Sequence, residues 1–280
     1  MTFLSLLLRS AGRPGYIIPV FFLLLSPQIS AQEILPGPLS ASLGGCYASL
    51  TADPLPSGNQ ASLGWLEGTS LSITHWQPFI IPEVSVSGLS ASFHLFPGYL
   101  GISLNSWGIP GYHRTALWLS YGMMLGKNVS AGIGFRSGLI STAYGFFYQW
   151  QVSVSGGLII RLNDKLTVGA HICDPFSVTA FKTPMTGLSS MISGGMSYLL
   201  TFGLTLYLQA SYSSAQKAGI SLGTLWQVSQ LIAFQAGYRS TPQTHSFGVT
   251  ISPGKWIFQL AVPWVGGKGI SPSAGITKKF

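Results

Sequence analysis

The sequence predicts an all-β chain: a transmembrane antiparallel β-barrel of about fourteen strands with a short N-terminal plug segment. Three observations predict it. First, residues Val129–Arg136 read VSAGIGFR, so Val129, Ala131, Ile133 and Phe135 fall on one face of an extended strand and Ser130, Gly132, Gly134 and Arg136 on the other. Second, the same two-residue alternation recurs at intervals of roughly a dozen residues, and its polar phase carries Ser, Thr, Gly and Gln rather than charge. Third, only 7% of the 280 residues are Asp, Glu, Lys or Arg, against roughly 25% in an ordinary soluble domain, while 12% are aromatic and 35 are glycine. A polar face without charges suits a barrel lumen, and an apolar face without charges suits lipid.

Residues 1–31 read as a secretory signal peptide. Arg9 and Arg13 precede the apolar run Tyr16–Leu25, Ser26 and Pro27 follow, and cleavage is expected after Ala31. The apolar run is about ten residues, short of the roughly twenty that a spanning helix needs, and no later stretch reaches that length. A secreted, apolar chain without a spanning helix meets lipid as a closed barrel, whose strands satisfy one another's backbone hydrogen bonds. The expected location is the outer membrane of a Gram-negative cell, with outer-membrane lipid around the wall. The formal charge of +8 includes Arg9 and Arg13, and the remaining cations are singly dispersed, so no nucleic-acid partner is expected.

Residues 32–68 break the alternation and are rich in small residues, Pro and Asn. From spacing alone they read as a Gly/Pro-rich loop leading into a barrel of residues 69–280. The run SLGGCYASLTADP (Ser42–Pro54) followed by GNQASLGWL (Gly58–Leu66) resembles the N-terminal segment of the long-chain fatty-acid transporter family and of its relatives among the barrel proteins of the type IX secretion system. In those families a Gly-Gly pair precedes a small/aromatic stretch, then Asp-Pro, then an Asn-Pro-Ala-Gly-like motif. Gly44, Gly45, Tyr47, Asp53, Pro54, Asn59 and Ala61 keep that order, while Gln60 stands where Pro is usual and Ser62 where Gly is usual. The resemblance implies a small plug inside the barrel. Physical chemistry agrees, because a glycine pair lets backbones approach closely and Asp53 or Asn59 can accept backbone N–H bonds to fix a turn. Leu43–Cys46 mimics a lipoprotein cleavage box but lies about twenty residues past the apolar run, so lipidation is not expected. Cys46 and Cys173 show neither CxxC nor zinc-ligand spacing; pairing in an oxidising periplasm and two separate small apolar residues are both open, the second being the simpler.

From Thr69 onward, strand centres fall near Ile73, Ser87, Ile102, Leu119, Ile133, Val154, Val168, Ile192, Leu206, Leu222, Phe234, Val249, Phe258 and Ile276. Leu204, Leu206 and Leu208 oppose Thr205, Tyr207 and Gln209, and Phe247, Val249 and Ile251 oppose Ser246, Gly248 and Thr250, with the apolar set toward lipid. At Gly88 the phase changes, from Val84 and Val86 to Ala91, Phe93 and Leu95, which predicts a bulge or bend. Asn163–Asp164 between two apolar runs predicts a hairpin turn. Strands of about ten residues leave roughly 70 positions for connections, so loops are short, with most room at Gly108–His113 and Asp174–Gly187. The chain ends in AGITKKF. The terminal aromatic of Gly275–Phe280 resembles the closure signal read by the outer-membrane barrel assembly machinery, with Lys278 where an apolar residue is usual; closure depends on this strand.

Chemistry is sparse. His75, His94, His113, His171 and His245 form no HExxH, and no Gly-x-Ser-x-Gly elbow occurs, so no catalytic set, cofactor or metal site is expected and the chain does not read as an enzyme. Spacing does not exclude a lipid hydrolase whose Ser and His meet across strands. His171 and Asp174 read as rim or lumen residues near a strand end. Alternation turns Arg136 inward with His94 and Gln209, since an isolated charge toward lipid costs about 2 to 4 kcal/mol at the midplane. Trp76, Trp107, Trp118, Trp150, Trp226, Trp256 and Trp264 lie near strand ends, as in an interfacial girdle.

Two function classes follow. The first is an accessory or interaction component of a type IX-like secretion or surface-attachment system, binding a secretion-translocon or a secreted cargo protein at its rim. The alternative is a channel passing hydrophobic small molecules, such as fatty acids, through a lateral opening near the plug. Short loops favour the first, as would a side-chain-filled lumen with an apolar exposed rim; a kink or gap in a strand beside Gly44 and Asn59 would favour the second.

Overall fold

Hydroxyl-bearing and small residues point inward and aliphatic residues outward along strand after strand, and the sheet they build closes on itself. The computed structural model describes residues 37–53, 55–109, 111–142, 148–180, 189–214 and 218–280; the expected signal peptide lies outside them. In chain order the strands are β1 (Ser70–Trp76), β2 (Val86–Leu95), β3 (Gly98–Ile109), β4 (Tyr112–Met124), β5 (Val129–Thr142), β6 (Tyr148–Arg161), β7 (Leu166–Ala180), β8 (Met191–Leu199), β9 (Leu204–Ser213), β10 (Gly219–Gln227), β11 (Ile232–Ser240), β12 (Gln243–Ile251), β13 (Trp256–Val265), β14 (Gly269–Ile270) and β15 (Ser273–Lys279). Strands adjacent in sequence pair antiparallel from β1 to β13, and β15 pairs with both β13 and β1, which removes every free edge. The two-residue β14 continues β15 in one register along β13, Trp264 opposing Ile270 and Ala261 opposing Ser273. Together they form a single strand interrupted at Ser271–Pro272, so the barrel has fourteen strand positions. Every centre expected from the sequence, Ile73 to Ile276, falls inside a strand.

Alternation sorts the two faces. Ile73, Leu89, Leu104, Leu119, Ile133 and Phe135 are exposed on the outside, while Ser72, Ser90, Ser103, Ser120, Ser130 and Arg136 are buried within. The ends of the barrel differ. The rim carrying the start of β1 and the end of β15, here the terminal rim, is turned by tight connections such as 96–97, 125–128 and 162–165. At the last of these Asn163 Oδ1 accepts the backbone N–H groups of Lys165 (2.9 Å) and Leu166 (2.8 Å), the turn expected from Asn163–Asp164. The opposite rim carries longer connections, including 77–85 with its two short 3-10 turns, Pro78–Ile80 and Pro82–Val84. In this architecture short turns face the periplasm and longer ones the outside, which sets the terminal rim on the periplasmic side.

Three local expectations are corrected. No bulge occurs at Gly88, since β2 keeps unbroken register with β1 and β3. The apparent phase change arises because Val86 points inward, 6% exposed, an apolar residue on the lumen face. The irregularity lies instead between β6 and β7, where Ser155 opposes Cys173 but Ser153 opposes Ser177, so that Asp174, Pro175 and Phe176 face Val154 alone. Asp174 has φ of 51°, a left-handed conformation that Asp tolerates better than most residues, and Pro175 brings no N–H to the ladder. Gly108–His113 is no loop but a tight connection, with Ile109 paired to Tyr112. Asp174 sits well inside β7 rather than in a loop, and residues 181–187 lie outside the described residues.

Candidate functional site

Inside the barrel, residues 37–53 and 55–66 run along the inner wall. The segment opens with helix α1 (Gly37–Ser42), which packs against β12, β13 and β15, and closes with the 3-10 turn Gln60–Trp65, which packs against β3 to β6. Leu39, Leu43, Cys46 and Leu50 form a small core with Tyr207 of β9. Burial pushes the Cys46 thiol up to about 12, against the pull of Arg239, so it serves as a neutral apolar filler. Cys173 packs elsewhere, with Ala116 and Trp118, and the two cysteines are not joined.

The wall makes room for this segment with glycine. Gly122, Gly132, Gly157, Gly169, Gly237 and Gly248 stand on six different strands, and a Cβ on any of them would collide with atoms of the segment between Ser42 and Leu63. The barrel's own side chains thus recede where the segment passes, and the segment occupies the space they leave. Gly44 and Gly45 adopt φ of 68° and 84°, which lets the segment turn against β11; a Cβ on Gly44 would strike the Tyr238 backbone, and one on Gly45 the Arg239 guanidinium.

Polar side chains then tie the segment to the wall. Gln209 Oε1 accepts the backbone N–H groups of Tyr47 and Ala48, both at 2.9 Å, and its Nε2 donates to the Gly45 carbonyl at 3.2 Å. Arg239 Nε donates to the Gly44 carbonyl (3.0 Å). Asn59 Nδ2 donates to the carbonyls of Ala48 (2.5 Å) and of Ala170 on β7 (3.3 Å), while its Oδ1 accepts the Ala61 N–H (3.1 Å) and caps the 3-10 turn. His171 is held between two segment residues, with Nδ1 3.2 Å from Tyr47 Oη and Nε2 3.2 Å from Gln60 Oε1. Tyr47 Oη also meets Ser193 Oγ at 3.0 Å. Trp65 Nε1 donates to Ser130 Oγ (2.7 Å) beneath Arg161, whose guanidinium lies 4.1 Å from the ring centroid.

A second polar cluster belongs to the wall alone. Arg136, 4% exposed, pairs with Asp174 at 3.0 Å and stacks 5.0 Å from the Trp118 ring centroid. Ser153 donates to the second Asp174 carboxylate oxygen, and Ser190 to the Asp174 carbonyl at 2.9 Å. The β7 bulge thereby turns a carboxylate onto the one inward arginine of β5, and His171 and Asp174, read from sequence as strand-end residues, are both buried mid-strand. Trp118 is likewise inward and 5% exposed, whereas Trp150, Trp226, Trp256 and Trp264 are exposed near strand ends, as a girdle requires.

The other residues singled out from the sequence are scattered. Asp53 lines a cavity of about 10 Å³ with Ser72, Ser92, Thr277 and Lys279. A second cavity, of about 30 Å³, lies among Leu55, Trp76, Val86, Asn105 and Ser273; each has room for little more than a water. His94 does not join the site: it is exposed at the terminal end of β2, edge-on to Tyr99 at 5.2 Å. Gly275 sits on β15 against Pro38 of α1, and the Phe280 N–H donates to the Thr69 carbonyl (2.9 Å) where the barrel closes. Sequence reasoning missed Gln60, His171 and Arg239 as ties. The inward glycines were visible as the polar phase of their strands, and their recurrence on successive strands was the available signal.

A closed barrel with an apolar outer band and a segment folded into its lumen defines a transmembrane barrel of the outer-membrane class. No protein-family model matches the chain, and no curated protein matches it. Solved structures share its fold. The toluene transporter TodX of P. putida superposes with a TM-score of 0.62 at 12% identity, over 88% of this chain and 99% of that one. A FadL homologue from Pseudomonas aeruginosa gives 0.56 at 10% identity, over 87% and 98%. The outer membrane protein Omp33 of Acinetobacter baumannii gives 0.50 at 6% identity, over 76% and 98%. At these identities the likeness is one of fold.

Proposed function

We propose that this protein is an outer-membrane channel for small hydrophobic molecules, gated by its inner segment. The observation that carries the reading is the set of lumen-facing glycines: the wall recedes along the path of the segment, so displacing residues 37–66 would clear a passage lined by polar wall side chains such as Gln209, His171 and the Arg136–Asp174 pair. The segment is held by polar ties to Gln209, Arg239 and His171, by bonds from Asn59 and Trp65 to the wall, and by a small apolar contact with Tyr207, an arrangement that can be released without unfolding the barrel. The β7 bulge at Asp174–Phe176, on the same strand as the Ala170 carbonyl that Asn59 holds and four residues along from it, is the wall irregularity we take as the candidate for a lateral exit. TodX, a toluene transporter and monoaromatic hydrocarbon channel of the same fold, supports this choice over the accessory role.

The test is uptake of radiolabelled toluene and of a long-chain fatty acid by liposomes carrying the purified barrel, with a sugar of similar size as control. Wild type should pass toluene or fatty acid but not the sugar, and deletion of residues 37–66 should admit all three. Uptake by wild type no faster than by empty liposomes would remove the channel reading. The short connections keep an interaction role in view, with a rim-bound secretion-translocon or cargo protein as partner; a stoichiometric protein recovered with the barrel from detergent-solubilised outer membranes would favour it.

A further inference from the structure

Lysines among the described residues are shared unequally between the two rims. Among the described residues, Lys127, Lys165, Lys255, Lys278 and Lys279 stand at the terminal rim with two acids, Glu67 and Asp164, whereas at the opposite rim Lys268 is matched by Glu83. Three of these lysines gather where the barrel closes. Lys278 lies in the outward row of β15, directly across from Trp256, its Nζ 5.2 Å from the Trp256 ring centroid and 4.7 Å from that of Phe280. The backbone N–H of Lys279 donates to the Lys255 carbonyl at 2.8 Å, which brings the 252–255 turn alongside. Among the described residues neither Lys255 nor Lys278 has a carboxylate within ion-pair distance.

We propose that Lys278, floored by Trp256 and Phe280, together with Lys255 on the adjoining turn, binds the phosphate of an anionic phospholipid in the leaflet that meets the terminal rim. An ammonium resting on ring faces keeps its remaining N–H groups free for phosphate oxygens. A lysine stem lying along apolar surface with its head at the interface is in the posture that a headgroup meets. The surface that continues from Lys278 toward the membrane centre fixes the ligand as a lipid rather than a soluble anion: Leu71, Ile73, Phe258 and Ile276 are exposed there, so acyl chains hanging from a phosphate at Lys278 would lie on them. The position where Lys278 departs from the usual apolar terminal pattern is thereby explained by what it holds.

Native mass spectrometry of the folded barrel, with phosphatidylglycerol or phosphatidylcholine of matched chains added in detergent, tests this. Wild type should retain phosphatidylglycerol preferentially, and Lys255→Gln and Lys278→Gln should each weaken that retention about five-fold, with Lys268→Gln without effect. Because Lys278 lies in the closing strand, Lys255→Gln in a turn supplies a variant that leaves closure untouched, and gel mobility before and after heating verifies that each barrel is folded. Equal retention of the two lipids by wild type, or wild-type retention by the folded double variant, would overturn the proposal. So would displacement of phosphatidylglycerol by inorganic phosphate alone, which would mark a simple ion site.

Discussion

In the wall, a residue's phase decides its role: Ile133 and Phe135 face lipid and Ser130 faces the lumen, and another aliphatic or small polar residue in the same phase would serve as well. The side chains that hold the inner segment allow no such substitution, because Gln209 uses both ends of its amide on Gly45, Tyr47 and Ala48, and His171 uses both ring nitrogens on Tyr47 and Gln60. The wall is held by a repeated pattern with the backbone ladder as its main bond, the segment by single contacts that each fit one partner. The two systems therefore fail differently. Damage to the wall costs stability, and damage to the segment frees the lumen.

The largest effect is expected where the wall borrows the segment's kind of specificity. Arg136→Leu leaves Asp174 buried without its cation and should cost about 3 to 5 kcal/mol, read as a fall in the urea midpoint of the barrel refolded into vesicles. Arg136→Leu combined with Asp174→Leu should recover most of that loss. A single variant as stable as wild type would mean that the pair is solvated and does not anchor the bulge. Next is a breach of the lipid face: Ile133→Arg should cost about 2 to 4 kcal/mol in the same measurement, while Ile133→Leu should cost almost nothing.

Gly157→Val and Gly132→Val sharpen the contrast. Each places a side chain where Asn59 or Gln60 now lies, so the segment must shift. The barrel should stay folded, with unchanged heat-dependent gel mobility, while residues 37–66 become accessible to added protease and sugar uptake into liposomes rises. Loss of the folded barrel instead would show that the segment is part of the wall's stability rather than a separable insert.

This contrast also explains what the sequence disclosed. Strand centres, the two faces, the Asn163 turn and the inward course of Arg136 and Gln209 were legible because lipid enforces a period of two on a chain with no charge to spare. The bulge at Asp174 was not, because it depends on a pairing between β6 and β7 that no local pattern encodes, and Val86 imitated a phase change by being apolar on the polar side. In the segment, Gly44, Gly45, Tyr47 and Asn59 were found by resemblance, whereas their partners His171 and Arg239 lie more than a hundred residues away, beyond the reach of spacing.

The finest probe of the segment is a single oxygen. Tyr47 Oη bridges His171 Nδ1 and Ser193 Oγ, joining the segment to two adjacent strands, β7 and β8, while its ring stays edge-on to the imidazole at 5.4 Å. Tyr47→Phe keeps the ring and removes the bridge, so the packing term is constant and only the hydrogen bonds are lost, about 1 kcal/mol. Spread over a whole barrel that loss should leave the urea midpoint within error of wild type. Concentrated on the docking equilibrium of the segment it should raise protease cleavage within residues 37–66 about five-fold. If global stability falls and cleavage does not rise, the segment and the wall unfold as one unit, and the glycines facing it exist to pack a core rather than to accommodate a gate.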